Sequence, residues 1–286
     1  MTTPTPQWLV QGALELVSLP DVFLRINGMM NDNSVSLQEI GEVVALDAGL
    51  TARLLKVVNS PIYGHAARIG TISRAISIVG MNDFYHLLLS TCASDMFKRI
   101  PYSLVNMTDF WVHSVYCAVI ARQLAKQNAV LHAERFFVAG LLHQLGSLLI
   151  YQRLPDESRE MLLQVDGRFW LMADRQKARW GFTYADVGAE LARQWGLPES
   201  LRVMIGCHLA PETAGEHLFD TTLLHLAYIL KNHIFQADQV ATEIARDIIA
   251  RAGEVVAMDE QQIMTVLSAV PEQAEQALQL LEGKTA

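Results

Sequence analysis

The most apolar stretch of the chain covers residues 137–154, and its pattern is that of a helix. Leucine and valine recur there at steps of three and four residues, and Ala139 and Ile150 widen the apolar stripe around the circumference. A helix that is apolar almost all round lies in a protein interior. The pattern therefore predicts one central helix over 137–154, with the polar side chains of His143 and Gln144 in its middle.

The same spacing predicts several short helices in the first sixty residues. The first is expected to run to about residue 17, and the second begins at Asp21 after a proline. Ser36 and Glu39 form a capping box ahead of the third helix, and Asp47 caps the fourth. Short helices in close succession are typical of an orthogonal bundle.

Helical patterns continue through the second half of the chain. A long helix is predicted after Thr108 as its N-cap, and another ends at His208 before a proline. Further helices are predicted over 217–235, over 239–252 and, as two short pieces, between 259 and 282. The sequence contains no alternating run of β-branched residues that would indicate a strand. The predicted fold class is all-α.

Composition and charge narrow the range of functions. Hydrophobic residues make up 51% of the chain and charged residues 18%, which is typical of a globular protein with a large core. The net charge of −8 and the lack of a Lys/Arg block argue against nucleic acid as a partner. No apolar run reaches the length of a membrane span, and no basic residue precedes position 25. We expect a cytoplasmic protein with no membrane partner.

The cysteines offer no sign of metal or redox chemistry. Cys92, Cys117 and Cys207 are far apart, without a CxxC spacing. Each lies in an apolar helical context, so we expect three reduced thiols in the core.

Three histidines are the first candidates for chemistry, because His113, His143 and His208 occupy helical positions that can converge. Three imidazoles with an open fourth position can hold zinc, so a single divalent-metal site is one alternative. The other alternative is that His113 and His143 are neutral core histidines, each hydrogen-bonded through one ring nitrogen. Ser147 lies one turn after His143, but no aspartate is placed to orient a catalytic histidine.

The segment NSPIYGHAARIG, residues 59–70, interrupts the helical pattern with one proline and two glycines. It displays Asn59, Tyr63, His65 and Arg68, which are candidates for contact with a ligand or partner. The alternative for Asn59 is a structural one, in which its side chain caps the end of the preceding helix.

Two groups of motifs resemble known families. The second half of the chain resembles the HD superfamily of metal-dependent phosphohydrolases in the order of its segments. These are the helix with His113, then FVAGLLHQLGSLLI, then YADVGAELARQWGLP, and last the helix that ends at His208. The N-terminal segments LPDVFLRINGMM, SLQEIGEVVALDAGLTARLLKVVNSPIYG and ISRAISIVGMNDFYHLLL closely resemble the HD-related output domain, HDOD. The resemblance covers about residues 12–235. It implies an HD-like multi-helical bundle, with an N-terminal helical lobe packed on a degenerate HD-like lobe.

The resemblance also implies a pocket that has lost its acidic residues. Gln144 stands where the HD motif has its aspartate, and Ser147 stands where it has its lysine. Further along the chain, Tyr184 replaces a histidine of the family and Tyr228 replaces an aspartate. An amide is a poor ligand for hard divalent ions, and a phenol ligates only when it is deprotonated, with an ordinary pKa of about 10. No cofactor is therefore expected, and the alternative is a single divalent metal at the three histidines. The implied pocket consists of His113, His143, Gln144, Tyr184, His208 and Tyr228.

The resemblance implies three segments: an N-terminal lobe over 1–107, a degenerate HD-like lobe over 108–235 and a helical extension over 236–286. It implies a non-catalytic signal-transduction or output module that binds a signalling protein partner in trans or a small nucleotide-type ligand, with homo-oligomerisation as a further expectation. The alternative is a metal-dependent phosphohydrolase that acts on a nucleotide or phosphoester through a reduced metal site. A third hypothesis is a nucleotide-binding regulator that uses Arg68, Arg74 or Arg122 as phosphate contacts.

Overall fold

Helices follow one another along the chain with short connections, and no strand occurs in the part that the structure describes. The structure is a computed structural model. It describes residues 4–13, 19–30, 35–61, 63, 68–97, 104–166, 168–235, 252, 255–256 and 258–282. The described part of the N-terminal half contains six helices: α1 (Pro6–Gln11), α2 (Asp21–Met29), α3 (Leu37–Ala45), α4 (Ala48–Val58), α5 (Ile72–Val79) and α6 (Met81–Phe97).

The second half of the chain continues the all-α architecture. Its helices are α7 (Met107–Gln127), α8 (Glu134–Leu142), α9 (Leu145–Arg153), α10 (Pro155–Val165), α11 (Met172–Trp180), α12 (Tyr184–Gln194), α13 (Glu199–Cys207), α14 (Leu218–Phe235) and α15 (Glu260–Glu282). None of the helices described is both long and apolar enough to cross a bilayer.

Several helix starts follow from capping residues that the sequence shows. The Ser36 hydroxyl accepts a hydrogen bond from the Glu39 amide, and the Glu39 carboxylate accepts one from the Ser36 amide, which confirms the capping box. The Asp47 carboxylate accepts from the Leu50 amide, as predicted. The predicted cap of α7 is wrong, because the Asn106 side chain accepts from the Thr108 amide at 2.9 Å and the helix begins before Thr108.

The central helix predicted over 137–154 is interrupted, so that prediction is wrong. Helix α8 ends at Leu142 and α9 begins at Leu145, because Gln144 adopts φ −100° and ψ 2° outside the helical region. The turn brings Gly146 against α12, where a Cβ on Gly146 would overlap the backbone carbonyl of Tyr184. The apolar pattern continues across the turn, which is why spacing alone indicates one helix.

One continuous hydrophobic core runs through both halves, with α7 at its centre. Helix α7 packs against α8, α14 and α15, and α8 also packs against α6. Gly140 lets α8 approach α7 closely, since a Cβ there would lie 2.5 Å from Cα of Ala118. Helices α10 and α11 pack on each other through a separate small cluster of Met161, Val165 and Met172.

The ends of the chain differ in part from the sequence-based prediction. Helix α1 ends at Gln11, and residues 14–18, where it was predicted to continue, lie outside the described residues. The helix predicted over 239–252 also lies outside them, apart from Ala252. The two short helices predicted between 259 and 282 are one helix, α15, with Pro271 inside it. Proline removes one hydrogen bond, and a row of buried side chains holds α15 against α7 on both sides of it.

The three cysteines are free thiols, as predicted. Cys92 and Cys117 are buried in the core as predicted, whereas the core position predicted for Cys207 is wrong, because this residue is partly exposed at the end of α13.

Candidate functional site

A cavity of about 400 Å³ lies between the start of α7 and the helices α9, α10, α11, α12 and α14. We call it the HD-like cavity. Its wall is apolar and aromatic on one part and polar on another. The apolar and aromatic part contains Phe110, Tyr151, Leu162 and Met172, and the polar part contains Asp109, His113, Gln144, Ser147, Tyr184, Tyr228, Lys231 and Asn232.

The six pocket residues predicted from the motifs come together here. His113, Gln144, Tyr184 and Tyr228 line the cavity. The other two, His143 and His208, are fully buried and in edge contact, with ring centroids 5.4 Å apart. The Tyr228 ring lies 5.8 Å from His143 and 5.4 Å from His208, and the Tyr184 ring lies 5.6 Å from His208.

The hydrogen bonds of the two buried histidines define their tautomers. Nδ1 of His143 lies 2.6 Å from the Gly140 carbonyl oxygen, and Nδ1 of His208 lies 2.7 Å from that of Ile205. A carbonyl oxygen can only accept, so each Nδ1 carries a proton and donates it. Nε2 of each ring is then an acceptor. The hydroxyl of Tyr184 donates to Nε2 of His208 at 3.2 Å.

Burial keeps all three histidines neutral at pH 7. Burial lowers the pKa of His208 to about 3 and that of His113 to about 4, and it lowers the pKa of His143 well below its ordinary value. The positive charge of Lys231 lowers the pKa of each of these histidines further. His113 stacks on Phe235, with ring centroids 4.1 Å apart.

The donor set does not fit the divalent metal that the HD superfamily resemblance implies. Burial raises the pKa of both Tyr184 and Tyr228, so neither supplies a phenolate. Gln144 is uncharged, and the ammonium of Lys231 shares the cavity and repels cations. Across the described ranges, no group of three or more His, Cys, Asp or Glu side chains is placed to hold a metal ion.

Lys231 and Asn232 belong to the cavity but were missed by the sequence analysis. Lys231 is 1% exposed, and its Nζ lies 4.8 Å from the centroid of the Tyr228 ring. Burial lowers the pKa of Lys231 to about 8. The available signal was a single lysine inside the apolar run LLHLAYILKNHIF, three residues after Tyr228 and therefore on the same face of the helix.

Of the loop residues predicted as a contact surface, the three that the structure describes, Asn59, Tyr63 and Arg68, do not line the HD-like cavity. The Asn59 amide donates to the carbonyls of Leu55 and Ile69, and its oxygen accepts from the Ile69 amide, so its side chain clamps the two ends of the loop. This is the structural alternative for Asn59. Arg68 is exposed beside it on a surface groove. His65 lies outside the described residues.

The hydroxyl of Tyr63 points inward from the same loop and donates to the Glu134 carboxylate at 2.8 Å. Glu134 also pairs with Arg122 at 3.5 Å, and both side chains are buried. Arg74, like Arg68, is exposed. The three arginines considered as phosphate contacts therefore do not line the HD-like cavity, and Glu134 is a buried partner that the sequence analysis missed.

Comparisons with known proteins agree on the family. The sequence profile of the HDOD domain matches residues 16–211. An uncharacterised protein of Treponema pallidum (strain Nichols) is 28% identical over 203 residues, which is 68% of this chain and 37% of that protein. The chain thus matches little more than a third of the length of that relative.

Three solved structures share the fold. A candidate phosphohydrolase of Shewanella amazonensis SB2B has a TM-score of 0.72 at 24% identity, with 96% of this chain and 97% of that chain covered. An HDOD domain protein of unknown function from Geobacter sulfurreducens has a TM-score of 0.66 at 23% identity, with 93% and 97% covered. A candidate signal transduction protein of Marinobacter aquaeolei VT8 has a TM-score of 0.68 at 19% identity, with 96% and 60% covered. Profile match and fold agree with the motifs, and the chain belongs to the HDOD family.

Proposed function

We propose that this HDOD protein is a signal-transduction module that performs no phosphoester chemistry, binds a small molecule in the HD-like cavity and acts on a protein partner in trans. The observation that carries the proposal is the chemistry of the cavity wall. Gln144, Tyr184 and Tyr228 stand where acidic or imidazole ligands would be needed, and the buried charge among them is the cation of Lys231.

The dimensions of the cavity suit a ligand. Binding sites for small molecules are concave, mostly apolar and roughly 300–1,000 Å³ in volume, with a few polar groups that fix the orientation of the ligand. The HD-like cavity has a volume of about 400 Å³ and combines aromatic walls with amide, hydroxyl and ammonium groups. It therefore has the features of a binding site.

The same wall lacks the groups for hydrolysis. Metal-assisted hydrolysis needs an ion that lowers the pKa of its bound water, and carboxylates or imidazoles to hold that ion. His208 uses Nε2 to accept from Tyr184, and the field of Lys231 opposes a cation. The signalling role has support from the Marinobacter structure, which is described as a candidate signal transduction protein.

The test combines metal analysis with a phosphodiesterase assay. Protein purified without an affinity tag is expected to contain no stoichiometric transition metal and to show no turnover of a generic phosphoester with added manganese. His143→Ala provides the matched control for any trace activity. One or two equivalents of metal, together with turnover that disappears in His143→Ala, would overturn the proposal and support the phosphohydrolase alternative.

A further inference from the structure

We propose that the HD-like cavity is an anion site, which takes a small organic molecule with one carboxylate or phosphate group on a flat apolar body, and that Lys231 binds the anionic group. This inference rests on the proposed function, because it assigns a chemical class to the ligand of the same cavity.

Among the described residues, no hydrogen-bond acceptor or carboxylate pairs with Lys231. Its side chain is 1% exposed and lines the cavity, with the ammonium over the ring of Tyr228. None of the hydrogen bonds and ion pairs of the described residues involves its Nζ. The Nζ atom is not among the enclosed polar atoms without a partner, so it is accessible from the cavity, where an incoming anion would supply its partner.

Apart from the cation–π contact with the ring of Tyr228, the described groups that face Lys231 supply no negative charge inside the cavity. The histidines on α7, between α8 and α9 and after α13 are neutral at pH 7, as are the tyrosines on α12 and α14. Burial raises the pKa of the Cys117 thiol to about 12, so it is also neutral. Asp109 lines the cavity but is exposed at the first turn of α7. The titratable groups that face Lys231 are Asp109, His113 and Cys117 on α7, His143, Tyr184, His208 and Tyr228.

Asn232 provides a second, independent observation. Its Nδ2 is buried and makes no hydrogen bond of good geometry among the described residues, although the side chain lies close enough to the Tyr228 hydroxyl to lower the pKa of that phenol, and it lines the same cavity. An amide N–H donates to a carboxylate or phosphate oxygen, and hydrogen bonds to charged groups are stronger than those between neutral groups. An ammonium and an amide donor therefore line one cavity, and neither makes a hydrogen bond of good geometry there among the described residues.

The apolar part of the wall defines the rest of the ligand. Phe110 and Tyr151 contribute rings, and Leu162 and Met172 contribute flexible apolar side chains. Aromatic rings and thioethers pack well against flat apolar or aromatic groups. The ligand is therefore expected to carry its anionic group on such a body and not to be a bare inorganic anion.

The test uses three probes of nearly the same shape and different charge: benzoate, benzamide and benzamidine. Their dissociation constants at pH 7 are measured by calorimetry or ligand-observed NMR. Benzoate is expected to bind about 10- to 100-fold more tightly than benzamide, because a hydrogen bond to a charged group is worth about 1.5–3 kcal/mol. Benzamidine is expected to bind most weakly.

Two variants locate the charge that discriminates among the probes. Lys231→Met keeps a linear apolar side chain and is expected to bind benzoate and benzamide equally. Lys177→Met, at an exposed position on α11, is expected to behave as the wild type. Phenyl phosphate is the second anionic probe, and its affinity relative to benzoate identifies whether the site favours phosphate or carboxylate. Acetate and inorganic phosphate, which lack the apolar body, are expected to bind more weakly.

Three results would overturn the anion inference: equal affinity of the wild type for benzoate and benzamide, unchanged benzoate affinity in Lys231→Met, or no benzoate binding at millimolar concentration. Binding of benzamide without a preference for benzoate would overturn the inference and leave the proposed small-molecule site standing. Metal-dependent turnover lost in His143→Ala would instead overturn the proposed function.

Discussion

Replacing Lys231 by methionine is expected to stabilise the protein at neutral pH. Burial lowers the pKa of Lys231 from 10.5 to about 8. At about 1.4 kcal/mol for each pH unit, this difference corresponds to a cost of about 3 kcal/mol for holding the charged form in the folded state. Methionine has nearly the same length and no charge, so Lys231→Met removes that cost.

The cost has a characteristic dependence on pH. Below about pH 8 both the folded and the unfolded chain carry the proton, and the full cost is present. Between about pH 8 and 10.5 the folded amine loses its proton first, so the unfolded state binds more protons and the free energy of unfolding of the wild type rises with pH. The difference between wild type and Lys231→Met therefore shrinks over this range.

Urea unfolding followed by circular dichroism at pH 7 and pH 9.5 measures both quantities, with Lys177→Met as the exposed control. We expect Lys231→Met to exceed the wild type by up to about 3 kcal/mol at pH 7 and by clearly less at pH 9.5. The control is expected to lie within about 0.5 kcal/mol of the wild type. A Lys231→Met protein that is no more stable than the wild type at pH 7 would refute the reasoning, because it would mean that the ammonium already has a good partner.

Three further predictions concern packing, a buried ion pair and acid stability. Gly146→Ala forces a Cβ into the backbone of α12 and should lower the free energy of unfolding by about 1–3 kcal/mol or more. Gly28→Ala, whose Cβ would meet nothing within 4 Å, should raise it by about 0.5–1 kcal/mol. Equal urea midpoints for the two variants would contradict this prediction. Glu134→Gln leaves the buried guanidinium of Arg122 without its charged partner and should lower the free energy of unfolding by about 3–5 kcal/mol. Asp156→Asn removes one partner of the exposed pair with Arg159 and should change it by less than about 1 kcal/mol. The pKa of His208, about 3 when folded, lies below its ordinary value, so the unfolded chain takes up the proton first and stability falls with pH below about 6.5. Between pH 6.5 and 5 the free energy of unfolding of the wild type should fall by about 2 kcal/mol more than that of His208→Gln. An equal fall in the two proteins would contradict the conclusion that His208 is buried as a neutral imidazole.

The parts of the fold that depend on local chemistry could be predicted from the sequence. The caps at Ser36 and Asp47 follow from interactions within three residues, and the structure contains both. The turn at Gln144 could not be predicted, because it depends on the approach of Gly146 to α12, about forty residues away along the chain. The continuity of α15 through Pro271 depends in the same way on packing against α7.

The residues of the candidate site could likewise be predicted only in part. The motifs named His143, Tyr184, His208 and Tyr228, and the structure brings these four rings together. A lysine near the end of a helix is usually exposed, so the burial of Lys231 becomes evident only when α7 and α14 are packed together. The sequence could therefore indicate where the pocket is, but not the sign of the charge inside it.

The backbone contact between Gly140 and Ala118 has a mechanical consequence. Helices α7 and α8 touch there without an intervening side chain that could change rotamer, so they are expected to move as one rigid body. Helices α10 and α11 border the other side of the cavity and share a small cluster of their own. Helix α11 also packs on the main core through Ala173 and Trp180, and its buried Gln176 accepts a hydrogen bond from the Tyr184 amide of α12. Both walls of the cavity are therefore tied to the same core, and a ligand is expected to enter a preformed site with little movement of the surrounding helices.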